Sequence, residues 1–215
     1  MRLKYKNNFK YKYSTFYFLC IYSFFCTMKN IVLFASGSGS NAETIIRHFQ
    51  NNSTIHVAAI FTNKADAGVI QRAKNHHIPY HIFSKNEFQE ASFLHQLRSY
   101  QPDLIVLAGF LLKIPEFIIE AYPDKIINIH PALLPKYGGK GMYGINVHRA
   151  VFENQEKESG ITIHYVNEHY DEGNIIFQES THITDCQSPE EVAAKVLTLE
   201  HKNYPIVVEK LLTQD

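Results

Sequence analysis

Residues 126–135, Ile-Ile-Asn-Ile-His-Pro-Ala-Leu-Leu-Pro, run directly into Lys136-Tyr137-Gly138-Gly139-Lys140-Gly141. The β-branched isoleucines favour a pleated strand, and Pro131 cannot donate to a ladder, so the strand is expected to stop near His130. Side chains alternate across a strand, which sets Asn128 and His130 on one face about 7 Å apart. A buried strand thus brings an amide and an imidazole to its carboxyl end, where open α/β sheets bind ligands. A histidine at a strand end also has a plain structural use, hydrogen-bonded and silent. The asparagine on the same face and the glycine-rich loop that follows favour a site.

Working outward, the pattern alternates. Apolar runs over Ile31–Ala35, Ile55–Phe61, Tyr80–Phe83 and Leu104–Leu107 read as strands. Between them, Ala42–Gln50, Ala65–Asn75, Asn86–Tyr100 and Ile118–Tyr122 carry helical spacing. Lys125–Ile129 is the central strand, and Asn146–Glu153 the helix after the glycine-rich loop. Gly160–Val166 and Asn174–Glu179 read as an antiparallel hairpin. The last helix opens at Pro189 behind Ser188 as N-cap, with Glu191 completing a capping box, and is expected to end before Pro205 or kink there. Strand and helix in alternation imply an α/β, Rossmann-like fold. The sheet is expected to be twisted and mostly parallel, with an antiparallel C-terminal hairpin and helices on both faces. No repeat or linker shows, so residues 28–215 are expected to form a single domain.

Residues 1–27 hold five basic residues and no acid, which leaves 16 basic against 21 acidic residues in 28–215. An acidic body without a basic stripe argues against nucleic acid as a partner. The basic leader precedes an apolar run, Tyr13–Cys26, too short for a membrane span of about 20 residues and lacking a small-x-small cleavage site. The preferred reading is a start at Met28 with residues 1–27 as a non-native or unstructured leader; a signal or anchor and a structured extension stay open. Of Cys20, Cys26 and Cys186, only the last lies in the body, which excludes an internal disulfide there, and no Cys/His spacing matches a zinc site. A cytoplasmic setting, no membrane partner and no metal are expected.

Two further constellations bear on chemistry. Ser36-Gly37-Ser38-Gly39-Ser40-Asn41 joins the first strand to the first helix, and backbone N–H groups of such a turn suit a phosphate. The segment also matches a loose dinucleotide fingerprint, but Thr62-Asn63-Lys64 stands where that fingerprint expects an acid. A monophosphate is preferred, with a nicotinamide cofactor and a merely structural turn as alternatives. Asp171, in Tyr170-Asp171-Glu172-Gly173, is an ordinary turn acid unless the fold brings it to His130. There it would orient the ring and raise its pKa.

SGSGSN after the first strand, AGFLLKI after the fourth, NIHPALLPKY, GITIHYV, YDEG and LEHKNYP together resemble the folate-dependent formyltransferases. Within them the SGSGSN loop is similar to that of the phosphoribosylglycinamide formyltransferases. The resemblance covers about residues 28–212 and leaves 1–27 unmatched. It implies a formyl transfer from 10-formyltetrahydrofolate, as co-substrate, to the amine of 5-phosphoribosylglycinamide, a step of purine synthesis. It implies that Gly39, Ser40 and Asn41 hold the phosphate end and Glu200 the ribose hydroxyls. Leu111, Leu112, Lys113 and Ile114 would line the pterin pocket, and Asn128, His130 and Asp171 match the catalytic trio. Two departures stand out: Asn86, beside Lys85, occupies the place of a folate-contacting arginine, and the Gly138–Ile145 loop is longer, leaving Val147-His148-Arg149 of a His-x-His-Arg run.

The residues agree with that chemistry. An asparagine N–H and a protonated histidine can stabilise an oxyanion, and a carboxylate can help relay a proton, with no covalent nucleophile or metal needed. Alternatives are another 10-formyltetrahydrofolate-using formyltransferase, a hydrolase, or a non-catalytic nucleotide-phosphate binder. Against a methionyl-tRNA formyltransferase stands the acidic body, without that family's basic C-terminal domain. Against a formyltetrahydrofolate hydrolase stands the want of an N-terminal regulatory domain. Small-molecule substrates and a monomer or weak homodimer are expected.

Overall fold

A computed structural model describes residues 28–214, so the expectation for residues 1–27 lies outside the described residues. Seven strands form one sheet: β1 (Lys29–Phe34), β2 (Ile55–Thr62), β3 (Tyr80–Ile82), β4 (Leu104–Leu107), β5 (Ile126–His130), β6 (Glu158–Tyr165) and β7 (Ile175–His182). Their order is β3-β2-β1-β4-β5-β6-β7. The pairs among β1–β5 are parallel; β5–β6 and β6–β7 are antiparallel. The chain leaves β1 toward β2 and later returns beside β1 with β4, so the carboxyl ends of β1 and β4 flank a switch point where α/β sheets take ligands.

The helices are α1 (Ser40–Phe49), α2 (Val69–Asn75), α3 (Ala91–Arg98), α4 (Glu116–Ala121), α5 (Ile145–Glu153) and α6 (Pro189–Thr213). Alternation sorts the strand residues into two cores. Ile31 and Leu33 of β1, with Ile127 and Ile129 of β5, pack with Ile45 of α1 and Val192, Val196 and Tyr204 of α6. Val32 and Phe34, with Phe61 and Ile126, pack on the other face with Phe93 of α3 and Ile118 of α4. Asn128 and His130 share the face of Ile126, so they emerge beyond the second core.

Two helices depart from expectation. Asn86–Tyr100 is not one helix: a 3-10 turn at Glu87–Gln89 precedes α3, with Glu90 extended at ψ 146° between them. Ser84 and Glu87 cap each other, Ser84 N–H to Glu87 Oε2 at 2.6 Å and Glu87 N–H to Ser84 Oγ at 3.2 Å. Phe88 and Phe93 both enter one core. Five residues apart on a continuous helix they would point about 140° apart; the break lets both bury. The second departure is that α6 does not end before Pro205 but continues to Thr213. Proline inside a helix costs about 3 kcal/mol. Tyr204, Val207 and Val208 are buried around it, and each buried side chain of this size contributes about 1.5–3 kcal/mol. Tyr204 also donates its hydroxyl to Leu107 O at 3.0 Å. Packing wins, and the helix holds. Its start follows expectation, with Glu191 N–H on Ser188 Oγ at 3.3 Å.

Candidate active site

β5 ends at His130, and its antiparallel partner β6 sets His164 directly opposite Asn128. Asp171, in the turn between β6 and β7, adopts a left-handed backbone at φ 58°, a region that aspartate tolerates better than most residues. Its carboxylate lies between two imidazoles, 3.6 Å from His130 Nδ1 and 3.6 Å from His164 Nε2. The backbone N–H of Gly139 donates to Asp171 Oδ2 at 2.9 Å. Gly138 allows the close approach: a Cβ there would stand 2.6 Å from the Leu134 side chain and 3.3 Å from Asp171 Cβ.

The far nitrogen of each ring is fixed by a backbone carbonyl. His130 Nε2 donates to Tyr137 O at 2.8 Å, and His164 Nδ1 to Tyr165 O at 2.8 Å. Asn128 Nδ2–H donates to His164 Nε2 at 3.2 Å, which leaves the amide's second N–H free. In its neutral form His130 therefore turns the bare lone pair of Nδ1 toward Asp171, and an added proton enters there, while the Nε2 lone pair of His164 is already taken by Asn128. At 3.6 Å, His130 Nδ1 makes no hydrogen bond to the carboxylate.

The electrostatics correct one expectation. Burial pushes the His130 pKa down more than Asp171 and the Tyr137 carbonyl push it up, and nearby His164 adds to the fall. The carboxylate is where the sequence suggested, but the net shift is downward, because His130 is only 3% exposed and desolvation opposes the imidazolium. Burial also raises the Asp171 carboxyl, yet its contacts with His164, His130 and the Gly139 amide outweigh that and leave it below its ordinary value.

These groups line a cleft of about 380 Å³ that also takes in Asn41, Glu200 and Leu111–Ile114. Asn41 Nδ2 donates to Glu200 Oε2 at 2.5 Å, joining the start of α1 to the middle of α6. Burial raises the Glu200 carboxyl, and the bond from Asn41 only partly offsets it. Asn41 Oδ1 is enclosed and has no hydrogen-bond partner among the described residues. Gly39 precedes α1 at φ 74°, where a Cβ would meet Val69 at 2.6–2.9 Å. Gly39 and Ser40 sit at the helix entrance rather than in the cleft wall, and Asn86 is exposed and does not line the cleft.

Two features were missed from the sequence, and a third, His148, was read only as what remains of a His-x-His-Arg run. His164 is marked only by the β5–β6 register. Tyr137 contributes its carbonyl from a left-handed residue at φ 59°. His148, the first buried turn of α5, is 6% exposed, and burial with nearby His130 lowers its pKa to about 4. Residues 139–144 of the Gly138–Ile145 loop line the cleft, with Gly139, Gly141 and Gly144 at positive φ.

Relatives carry the same organisation. Over 187 residues the chain is 42% identical to a chloroplastic phosphoribosylglycinamide formyltransferase of Arabidopsis thaliana, covering 84% of this chain and 64% of that protein. It thus spans less than two thirds of that plant relative's length. It is 36% identical to the phosphoribosylglycinamide formyltransferase of Escherichia coli, covering 83% of this chain and 85% of that one. The crystal structure of phosphoribosylglycinamide formyltransferase from Brucella melitensis is similar at a TM-score of 0.78 and 32% identity, over 88% of this chain and 98% of that one. The formyl transferase family pattern matches residues 29–208, and the chain belongs to that family.

Proposed function

We propose that residues 28–215 form a single domain that transfers the formyl group of 10-formyltetrahydrofolate to the amine of 5-phosphoribosylglycinamide. The observation that carries this is the convergence of Asn128, His130 and Asp171 on one cleft whose wall also holds Asn41, Glu200 and Leu111–Ile114. Polar groups suited to a phosphorylated sugar and an apolar wall thus meet one acid–base cluster. Leu111, Tyr143 and Tyr170, three large side chains left exposed, all line this cleft and offer a surface to a flat, apolar ring system.

The amine attacks the formyl carbon directly. A C–N bond forms and the carbonyl oxygen becomes an oxyanion. The free N–H of Asn128 donates to it, and His130, once protonated at Nδ1, adds a charge-assisted bond. The amine's proton passes through Asp171 or a water beside it to the folate nitrogen as the C–N bond to that nitrogen breaks. Burial sets the His130 pKa below its ordinary value, so the reaction must favour the charged form. A developing oxyanion does that. The Nε2–H bond to Tyr137 O sets which nitrogen receives the proton.

Gly39, Ser40 and Asn41 would hold the phosphate at the entrance of α1, and Glu200 the ribose hydroxyls. Purified protein and 10-formyltetrahydrofolate, given glycinamide ribonucleotide or water alone, test the proposal. Formyl transfer that requires the ribonucleotide supports it; formate release without ribonucleotide, or no reaction, overturns it.

A further inference from the structure

Three loops meet at one hydroxyl beneath the cleft. Ser36, two residues past the end of β1, is 2% exposed. Its Oγ donates to Asn63 Oδ1 at 2.6 Å, just after β2, and accepts the backbone N–H of Leu111 at 3.0 Å, in the loop after β4. Its own backbone N–H donates to Gly109 O at 3.0 Å. A serine hydroxyl has one proton to give, so the bonds run in one direction, from Leu111 through Ser36 to Asn63.

The two segments joined here serve different ends of the cleft. Ser36 opens the 36–41 segment, whose Ser38 carbonyl accepts from Arg72 Nε at 2.7 Å and which leads to Asn41 and the α1 entrance. Leu111 opens the apolar wall. Its neighbour Phe110 is sunk in the aromatic core while the Leu111 side chain is 42% exposed and lines the cleft. Leu111 is thus held by a buried ring on one side and by the Ser36 hydroxyl through its own amide. Among the described residues this is the one side-chain hydrogen bond between segments 36–41 and 109–114. Without it the Leu111 amide loses its acceptor, and the two segments stay joined only through backbone, by Ser36 N–H on Gly109 O and the β1–β4 ladder behind it.

We propose that Ser36 is a positioning residue that couples the two halves of the cleft, so that a phosphorylated ligand on Gly39–Asn41 tightens binding of a ring system against Leu111–Ile114. The identity of the two ligands rests on the function proposed above. Coupling of this kind is reciprocal: each ligand changes the other's affinity by the same factor.

Tetrahydrofolate carries no formyl group, so it binds beside glycinamide ribonucleotide without turnover. Calorimetric titration of the full chain with tetrahydrofolate, with and without saturating ribonucleotide, gives the coupling as a ratio of dissociation constants. The parent is expected to bind tetrahydrofolate about fivefold or more tighter when the ribonucleotide is present. Ser36→Ala is expected to bring that ratio to about 1 while ribonucleotide binding alone stays within about threefold, a change that a merely structural role would not single out. Asn63→Ala, which removes the acceptor that orients the hydroxyl, is expected to lower the ratio in the same direction and serves if Ser36→Ala does not fold. A parent ratio of 1, or a parental ratio in the folded variants, overturns the coupling and leaves the proposed function standing. Failure of the parent to bind tetrahydrofolate at all overturns both.

Discussion

One face of the sheet carries both Phe34 of β1 and His130 of β5, and the two regions are built on opposite principles. Around Phe34 the rings of Phe61, Phe83, Phe88, Phe93 and Phe110 stack and tilt with centroids 5.1–6.3 Å from it. Burial there and attraction between the groups act in the same direction. Around His130, burial and attraction conflict. Asp171 favours an imidazolium that desolvation disfavours, His148 is pushed down to about 4, and Asp171 and Tyr137 hold left-handed backbones. The aromatic region is already at its best state. In the polar region the two tendencies remain opposed. Stability is expected to reside in the first and turnover in the second.

The largest effect should fall on the aromatic side. Phe88 is fully buried and touches Phe34, Phe83, Phe93 and Phe110. Phe88→Ala is expected to cost about 3–5 kcal/mol in urea unfolding, while the folded fraction keeps kcat within about threefold of the parent. A large kcat loss at parental stability would break the comparison.

On the polar side, Asp171→Asn is expected to lower kcat about 100-fold, or about 2.7 kcal/mol in the barrier, with both Michaelis constants changing only a few-fold. Asparagine accepts a left-handed backbone and can still take the Gly139 N–H, so the thermal midpoint should barely move. A variant within about threefold of the parent kcat would make Asp171 a turn cap and nothing more.

A smaller effect sharpens the comparison further. His164→Gln removes the ring that accepts from Asn128 and faces Asp171. It should lower kcat about tenfold, roughly 1.4 kcal/mol, since Asn128 and Asp171 remain but lose a shared support. Steady-state kinetics with both substrates saturating would show it, and a change confined to the Michaelis constants would argue that His164 shapes binding alone.

Much of this was legible in the residues. β4 is a continuous apolar run because both faces of a parallel strand are covered, and in β5 alternation alone puts Asn128 beside His130. What escaped depends on long-range placement. The pairing of Asn128 with His164 is a register across β5 and β6, set by a connection that no local pattern fixes. Glu90 breaks a helix so that two phenylalanines reach one core, and Pro205 stays helical because Tyr204 is anchored beside it. The direction of the His130 shift was misread for the same reason: an acid shows in a sequence, and the depth of burial around its partner does not.

That shift gives the most direct test of the contest between burial and charge. NMR titration of the His130 ring, assigned by its loss in His130→Gln, would be followed in the parent and in Asp171→Asn without ligand. The parent ring should titrate below the ordinary histidine value of about 6.5, because burial outweighs the carboxylate. In Asp171→Asn it should titrate lower still, since the variant removes the charge that opposes the fall. A parent value above about 6.5, or one that does not move when Asp171 loses its charge, would contradict the account.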